Sequence, residues 1–165
     1  MNNKKEKKEK IDIIFRIIEI KKISHSEHDY NEYGLTEGDL KKAQLKVGVK
    51  FEIHIDEGCL SFTIISRLEC EKEKESYELF NMEVLYKFEI KDFNNVFKVS
   101  GPKKVIIPDQ FIQTLIGIAI SGARGIQAVI ITNQAYKNKL IPLINTKEIL
   151  NLLKLKGIKK IKVDI

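Results

Sequence analysis

One segment constrains this chain more than any other. From Pro108 to about Thr132 it runs without a further proline, and Asp109 and Arg124 are its only charges. A proline in the first turn and an acid beside it suit the positive end of a helix dipole. At 1.5 Å per residue such a helix would be about 37 Å long. Apolar residues from Phe111 to Ile131 cover most of its circumference, and a helix of that kind is buried on both sides. A membrane span needs about 20 apolar residues, which the length allows. However, Gln110, Gln113, Thr114, Ser121 and Gln127 interrupt the run, and strands precede it, so membrane insertion is not expected. One sheet can cover only one side of the helix. The expectation is therefore a helix held between its own sheet and a second subunit. Leu115, Ile118, Ala119, Gly122 and Ile126 are its candidate interface, with Gly122 at a small-residue centre where another backbone could approach closely.

Ahead of the helix the period is two. Residues 11–20 crowd isoleucines around Phe15, a β-branched composition that reads as a long, largely buried strand. A polar stretch ending at Gly34 follows, then 35–44 as a turn or short helix. Val47, Val49, Phe51, Ile53 and Ile55 alternate with Gly48, Lys50, Glu52 and His54, the pattern of a sheet with one buried face. Asp56-Glu57-Gly58 signals a hairpin. Leu60, Phe62 and Ile64 resume the alternation, and a charged turn at 71–76 leads to a strand over 77–92, with Phe80 to Ile90 on one parity. Four strands in series, three joined by short turns, predict an antiparallel meander. Beyond the long helix, a loop around Pro142 precedes a short helix capped by Asn145 or Thr146 and ended by Gly157.

A chain of 165 residues suits one domain. Its net charge of +6 is uneven: residues 1–10 carry +3, residues 151–165 carry +4, and the body between is at −1. The ends read as a disordered basic segment (1–10) and a basic tail (154–165) around a folded domain at 11–153. Nearly all the positive charge is lysine. Base and phosphate recognition favours the planar guanidinium fork, so nucleic acid is not an expected partner. Two cysteines, Cys59 and Cys70, without a secretory signal fit a reducing cytoplasm.

The residues offer little chemistry. His25, His28 and His54 have no cysteine or carboxylate spacing that would make a zinc site. Cys59 lacks an organised base, and GARG at 122–125 does not lead from a strand into a helix as phosphate loops do. No catalytic residue, metal site or cofactor is expected, and the protein reads as a non-enzyme. Phe51, Phe62, Phe80, Tyr86 and Phe88 suit a core or a binding surface, because aromatic rings offer contact area with little directional demand.

Three stretches resemble the SecB-like family of export and holdase chaperones. RIIEIKKISHSEHDY (16–30) looks like the family's opening strand with its Lys-x-Ile-Ser exit, here Lys21 to Ser24 with Glu27 behind. VIIPDQFIQTLIGIAISGARG (105–125) is similar to its first long helix, and LIPLINTKEIL (140–150) to its proline-asparagine loop and last helix. The resemblance covers residues 11–153. It implies an α+β fold: a four-stranded antiparallel sheet with a long helix and a short C-terminal helix packed on one face. It also implies a homotetramer built as a dimer of dimers, binding of unfolded or nascent chains in apolar grooves without ATP, and delivery to the SecA motor. Lys22 stands where members serving SecA carry an acidic residue, and this argues against SecA as a partner.

A groove that accepts unfolded chains must be apolar yet wet when empty, which favours loops beside the sheet. Phe93 and Phe97 before the long helix, and Ile141, Leu143 and Ile144 after it, are the candidate peptide-binding residues. The competing expectations are an adaptor holding one folded partner and a lysine-driven nucleic-acid binder.

Overall fold

The computed structural model describes residues 13–99 and 105–155. The basic segment 1–10 lies outside the described residues, as does the 154–165 tail apart from the last two residues of the final helix. Four long strands form one antiparallel sheet: β1 (Phe15–Glu27), β2 (Gln44–His54), β3 (Cys59–Lys72) and β4 (Glu75–Ile90). The short helix α1 (Glu37–Lys42) precedes β2, and α2 (Phe93–Val96) follows β4. A two-stranded ribbon of β5 (Lys98–Val99) and β6 (Val105–Ile106) leads to the long helix α3 (Asp109–Ile130), and α4 (Thr146–Leu155) closes the described chain. The fold is α+β.

The order across the sheet is β1-β4-β3-β2. Only β2, β3 and β4 therefore form a meander. The first strand does not lie beside the second as the four-strand meander predicts; it pairs with β4 from Phe15↔Ile90 to Glu27↔Phe80. The chain between β1 and β2 makes this possible by crossing in ordered steps. Asp29 caps a 3₁₀ turn at Tyr30–Tyr33, Gly34 takes a left-handed φ of 62°, and Thr36 forms a capping box with Asp39 at the start of α1. These local bonds hold a connection too long for a hairpin.

Alternation decides the two faces. Phe51, Phe62, Tyr86, Phe88 and Ile64 turn to the helix side, and Phe62, Phe88 and Ile64 are wholly buried. Burying each of these is worth about 1.5–3 kcal/mol. The other face carries Lys46, Lys50, Arg67, Glu83, Lys87 and Glu89, joined in ion pairs such as Lys50–Glu83 at 3.7 Å. Exposed pairs of this sort add little to stability. A register shift between Leu68 and Glu69 breaks the parity of β4, so that Leu79 and Phe80 are both buried.

The long helix spends its apolar side inside the chain. Phe111, Ile112, Leu115, Ile116, Ala119, Ile120 and Ala123 are buried, while Gln110, Thr114, Ser121, Gly125, Ala128 and Val129 are exposed. It is thus apolar on one side and mixed on the other, rather than apolar all round. By length and composition it is the one helix among the described residues that could cross a membrane. In this fold its stripe lies on the sheet, where Gln127 reaches Ser66 of β3 at 3.2 Å. The short α4 packs along α3, with Leu150 buried.

The largest departure from the sequence reading is β1. It is an edge strand, and it is not largely buried. Ile14, Ile17, Ile18, Ile20 and Ile23 are between 41% and 59% exposed. Two register shifts, at Ile17/Glu19 and at Lys22/Ser24, interrupt its pairing with β4.

Candidate functional site

The five candidate groove residues separate into two groups. Phe93, Phe97 and Ile141 are buried. Asp92 enters the left-handed region at φ 56° and turns the chain out of β4, which brings Phe93 edge-on to Phe97 with ring centres 4.9 Å apart. Phe97 continues to Phe111 in the first turn of α3 at 5.8 Å, and Phe111 to Phe15 of β1 at 5.6 Å. These rings lock the crossover onto the sheet. As core side chains they expose little surface in this conformation, Phe93 only where it borders the hollow at the sheet end. Ile141 is held by the same logic: its backbone N–H donates to Gln127 Oε1 at 2.8 Å, and the Gln127 amide donates to Ser66 and to the Lys139 carbonyl. Gln127 is completely buried and all its polar atoms are used.

Leu143 behaves differently, since it is 90% exposed. With half-buried Ile144 it borders a hollow of about 290 Å³, which is also lined by Gly117, Ile120, Ser121, Arg124, Pro142 and Thr146. Gly117 borders the hollow where Thr146 of α4 approaches. A Cβ there would make an ordinary contact with the Thr146 methyl at 3.6 Å. The lining of the hollow mixes hydrocarbon with one guanidinium and two hydroxyls.

The interface candidates also divide. Leu115 and Ala119 are fully buried against the chain's own sheet, and Gly122 lies against Tyr86. The close approach that the glycine permits is that of a tyrosine from the same chain. Ile118 and Ile126 are half-buried and keep some surface.

Two features escape the sequence reading. One is the isoleucine row of β1. Its signal is present as paired isoleucines at 13–14 and 17–18, more than one buried face of a strand can use. The other is an open hollow of about 810 Å³ at the sheet end, where Ile14, Phe15, Ile55, Ile90 and Phe93 meet Asp56, Asp92 and Lys91. It is assembled from three separate loops and strand ends, so no local pattern announces it.

His54 Nε2 lies 2.9 Å from Ser61 Oγ, and Ser61 is buried. Burial pushes the Cys59 and Cys70 thiols up from their usual range, away from thiolate. Desolvation likewise pushes the Tyr136 phenol up to about 12 while its hydroxyl donates to the His28 carbonyl at 2.7 Å. Among the described residues no three His, Cys, Asp or Glu side chains stand together to hold a metal ion. Glu27 serves structure: its carboxylate accepts from the backbone N–H groups of Thr132 and Asn133 as the chain leaves α3. No protein-family model matches this chain, and no curated protein matches it either.

Proposed function

We propose that this protein is an ATP-independent holdase chaperone, assembled from several copies of the chain, that binds unfolded or nascent polypeptides on apolar surface. The observation that carries the reading is Leu143, held almost fully in water at the mouth of the hollow beside α3. A large aliphatic side chain kept wet by an ordered, proline-containing loop suits contact with hydrocarbon from another molecule. The hollow lies at or below the roughly 300–1,000 Å³ typical of small-molecule pockets. It suits one or two side chains of a passing segment. A single guanidinium and two hydroxyls in the lining impose little sequence preference, as a holder of varied clients requires. Delivery to a SecA-type motor is not part of the proposal, because Lys22 occupies the position where the family resemblance implies an acid.

The test is suppression of aggregation of a reduced, unfolded model protein, with and without ATP. Suppression independent of ATP, and weakened in Leu143→Ser, is expected. No suppression at molar excess would overturn the reading. Tight binding of one folded protein without suppression would identify an adaptor instead.

A further inference from the structure

We infer that the lysine-rich segment ahead of β1, residues 1–12, folds back over the open hollow at the sheet end and covers its apolar lining, with Asp56 and Asp92 receiving its lysines. The inference goes beyond the holdase reading and does not rest on it. The hollow measures about 810 Å³, and Ile14, Phe15, Ile55, Ile90 and Phe93 give it hydrocarbon. Ile14 is 59% exposed, and Phe15 and Ile55 are half-buried, so part of that hydrocarbon is wet. Backbone bonds set its shape. The Gly58 carbonyl accepts from Ile90 N at 3.0 Å, which ties the β2–β3 turn to the end of β4, and Asp92 then turns the chain away.

The first strand brings the segment to this place. Lys91 N donates to the Ile14 carbonyl at 3.0 Å, just beyond the Phe15↔Ile90 pair. Asp92 leaves the ladder at φ 56°, so β4 supplies no further partner to the chain ahead of Ile14. Ile14 itself lines the hollow. Phe15 turns its ring to the helix side, against Phe88 and Phe111, and in an extended chain Ile11 and Ile13 share its parity. Ile11 is therefore in register to meet the apolar lining. An extended chain covers at most about 3.6 Å per residue, which keeps Lys10 within about 14 Å of Ile14 and Lys7 within about 25 Å. The other basic segment, 154–165, belongs to the end of α4, which packs on α3 and lines no part of this hollow.

Charge favours the same occupant. Glu89 is paired with Arg16 and Glu57 with Lys87, whereas the Asp56 and Asp92 carboxylates have neither an ion pair nor a hydrogen bond among the described residues. Lys91 is the one lining cation without a partner among them, so the rim keeps an excess of negative charge. Residues 1–12 carry five lysines against Glu6, Glu9 and Asp12. Exposed ion pairs hold little by themselves. Tethering changes the balance, since a short linker gives an effective concentration on the order of millimolar. Lysine stems also lie along apolar surface while their ammonium heads stay in water. A hydrocarbon lining with an acidic rim accepts both parts.

Trypsin reads this contact without any added ligand. Docked lysines are cut slowly, and the two acids that hold them lie outside the cut segment. In the full chain at low salt, cleavage after Lys7, Lys8 and Lys10 should be about tenfold faster in Asp56→Asn/Asp92→Asn than in the wild type. Asparagine tolerates positive φ, so the turn at Asp92 survives the change. At about 1 M salt, where charges are screened within about 3 Å, the two rates should converge. As a second measurement, Lys8→Cys combined with Asn94→Cys should close a disulfide within one chain, which the buried Cys59 and Cys70 leave undisturbed. Adding Asp56→Asn/Asp92→Asn should slow that closure by a similar factor. Equal cleavage rates at low salt, acceleration confined to the 154–165 tail, or a disulfide between the two introduced cysteines that forms only between chains would each overturn the proposal.

Discussion

Gly122 of α3 lies so close to Tyr86 of β4 that a Cβ built on it would stand 2.9 Å from the ring's Cζ. The Tyr86 hydroxyl at this contact is buried without a hydrogen-bond partner among the described residues. Helix and sheet approach each other here through a missing side chain and an unsatisfied polar group. Gly122→Ala should lower stability by about 1–3 kcal/mol from overpacking, offset in part by the roughly 1 kcal/mol gain in helix propensity. Tyr86→Phe should raise stability, because leaving a buried hydroxyl unpaired costs about 1–3 kcal/mol. The two together should recover most of the alanine's loss. Urea unfolding of the three variants checks this, and a stabilised Gly122→Ala would refute the contact.

Glu27 ties the end of β1 to the exit of α3 through two backbone N–H groups. Hydrogen bonds to a charged acceptor are worth about 1.5–3 kcal/mol, so Glu27→Ala should cost about 2–3 kcal/mol by the same reckoning. Glu27→Gln keeps one acceptor oxygen and should recover roughly half of that loss. Equal melting temperatures for wild type and Glu27→Ala would show that the clamp carries no weight.

Phe93 and Leu143 should respond in opposite ways to the same change. Phe93→Ser removes a core ring and should cost about 3–5 kcal/mol, lowering the melting temperature and client holding together. Leu143→Ser touches an exposed side chain and should leave melting within about 0.5 kcal/mol while weakening suppression of aggregation. Calorimetry beside the holdase assay separates them.

Stability should fall on the alkaline side. Burial pushes the Cys59 and Cys70 thiols above their ordinary 9.0, and the Tyr136 phenol from 10.0 to about 12. Each of these acids is held neutral in the folded chain and ionises earlier in the unfolded one. Below pH 9 both states keep these protons and the contribution is constant. Above it the unfolded state loses protons first, so stability declines from about pH 9 and, for Tyr136, until about pH 12. A series of melts between pH 8 and 11 should show this decline; a flat profile would contradict the burial of these groups.

The sequence by itself determined the elements. Strict alternation from Val47 to Ile55 and from Leu60 to Ile64 can satisfy only a one-sided sheet, Asp56-Glu57-Gly58 can close only a tight turn, and Pro108 followed by an apolar run begins a long helix. Each of these rests on neighbours within a few residues. Tertiary structure decided the rest. Whether β1 pairs with β2 or with β4 depends on contacts far apart in sequence, and its isoleucines look the same on a central strand as on an edge. The same holds for Gly122, whose small size shows that something approaches without showing what. Phe93 and Leu143 are both apolar loop residues in the sequence; one ends in the core and the other in water, because only the assembled chain says which neighbours arrive to cover them.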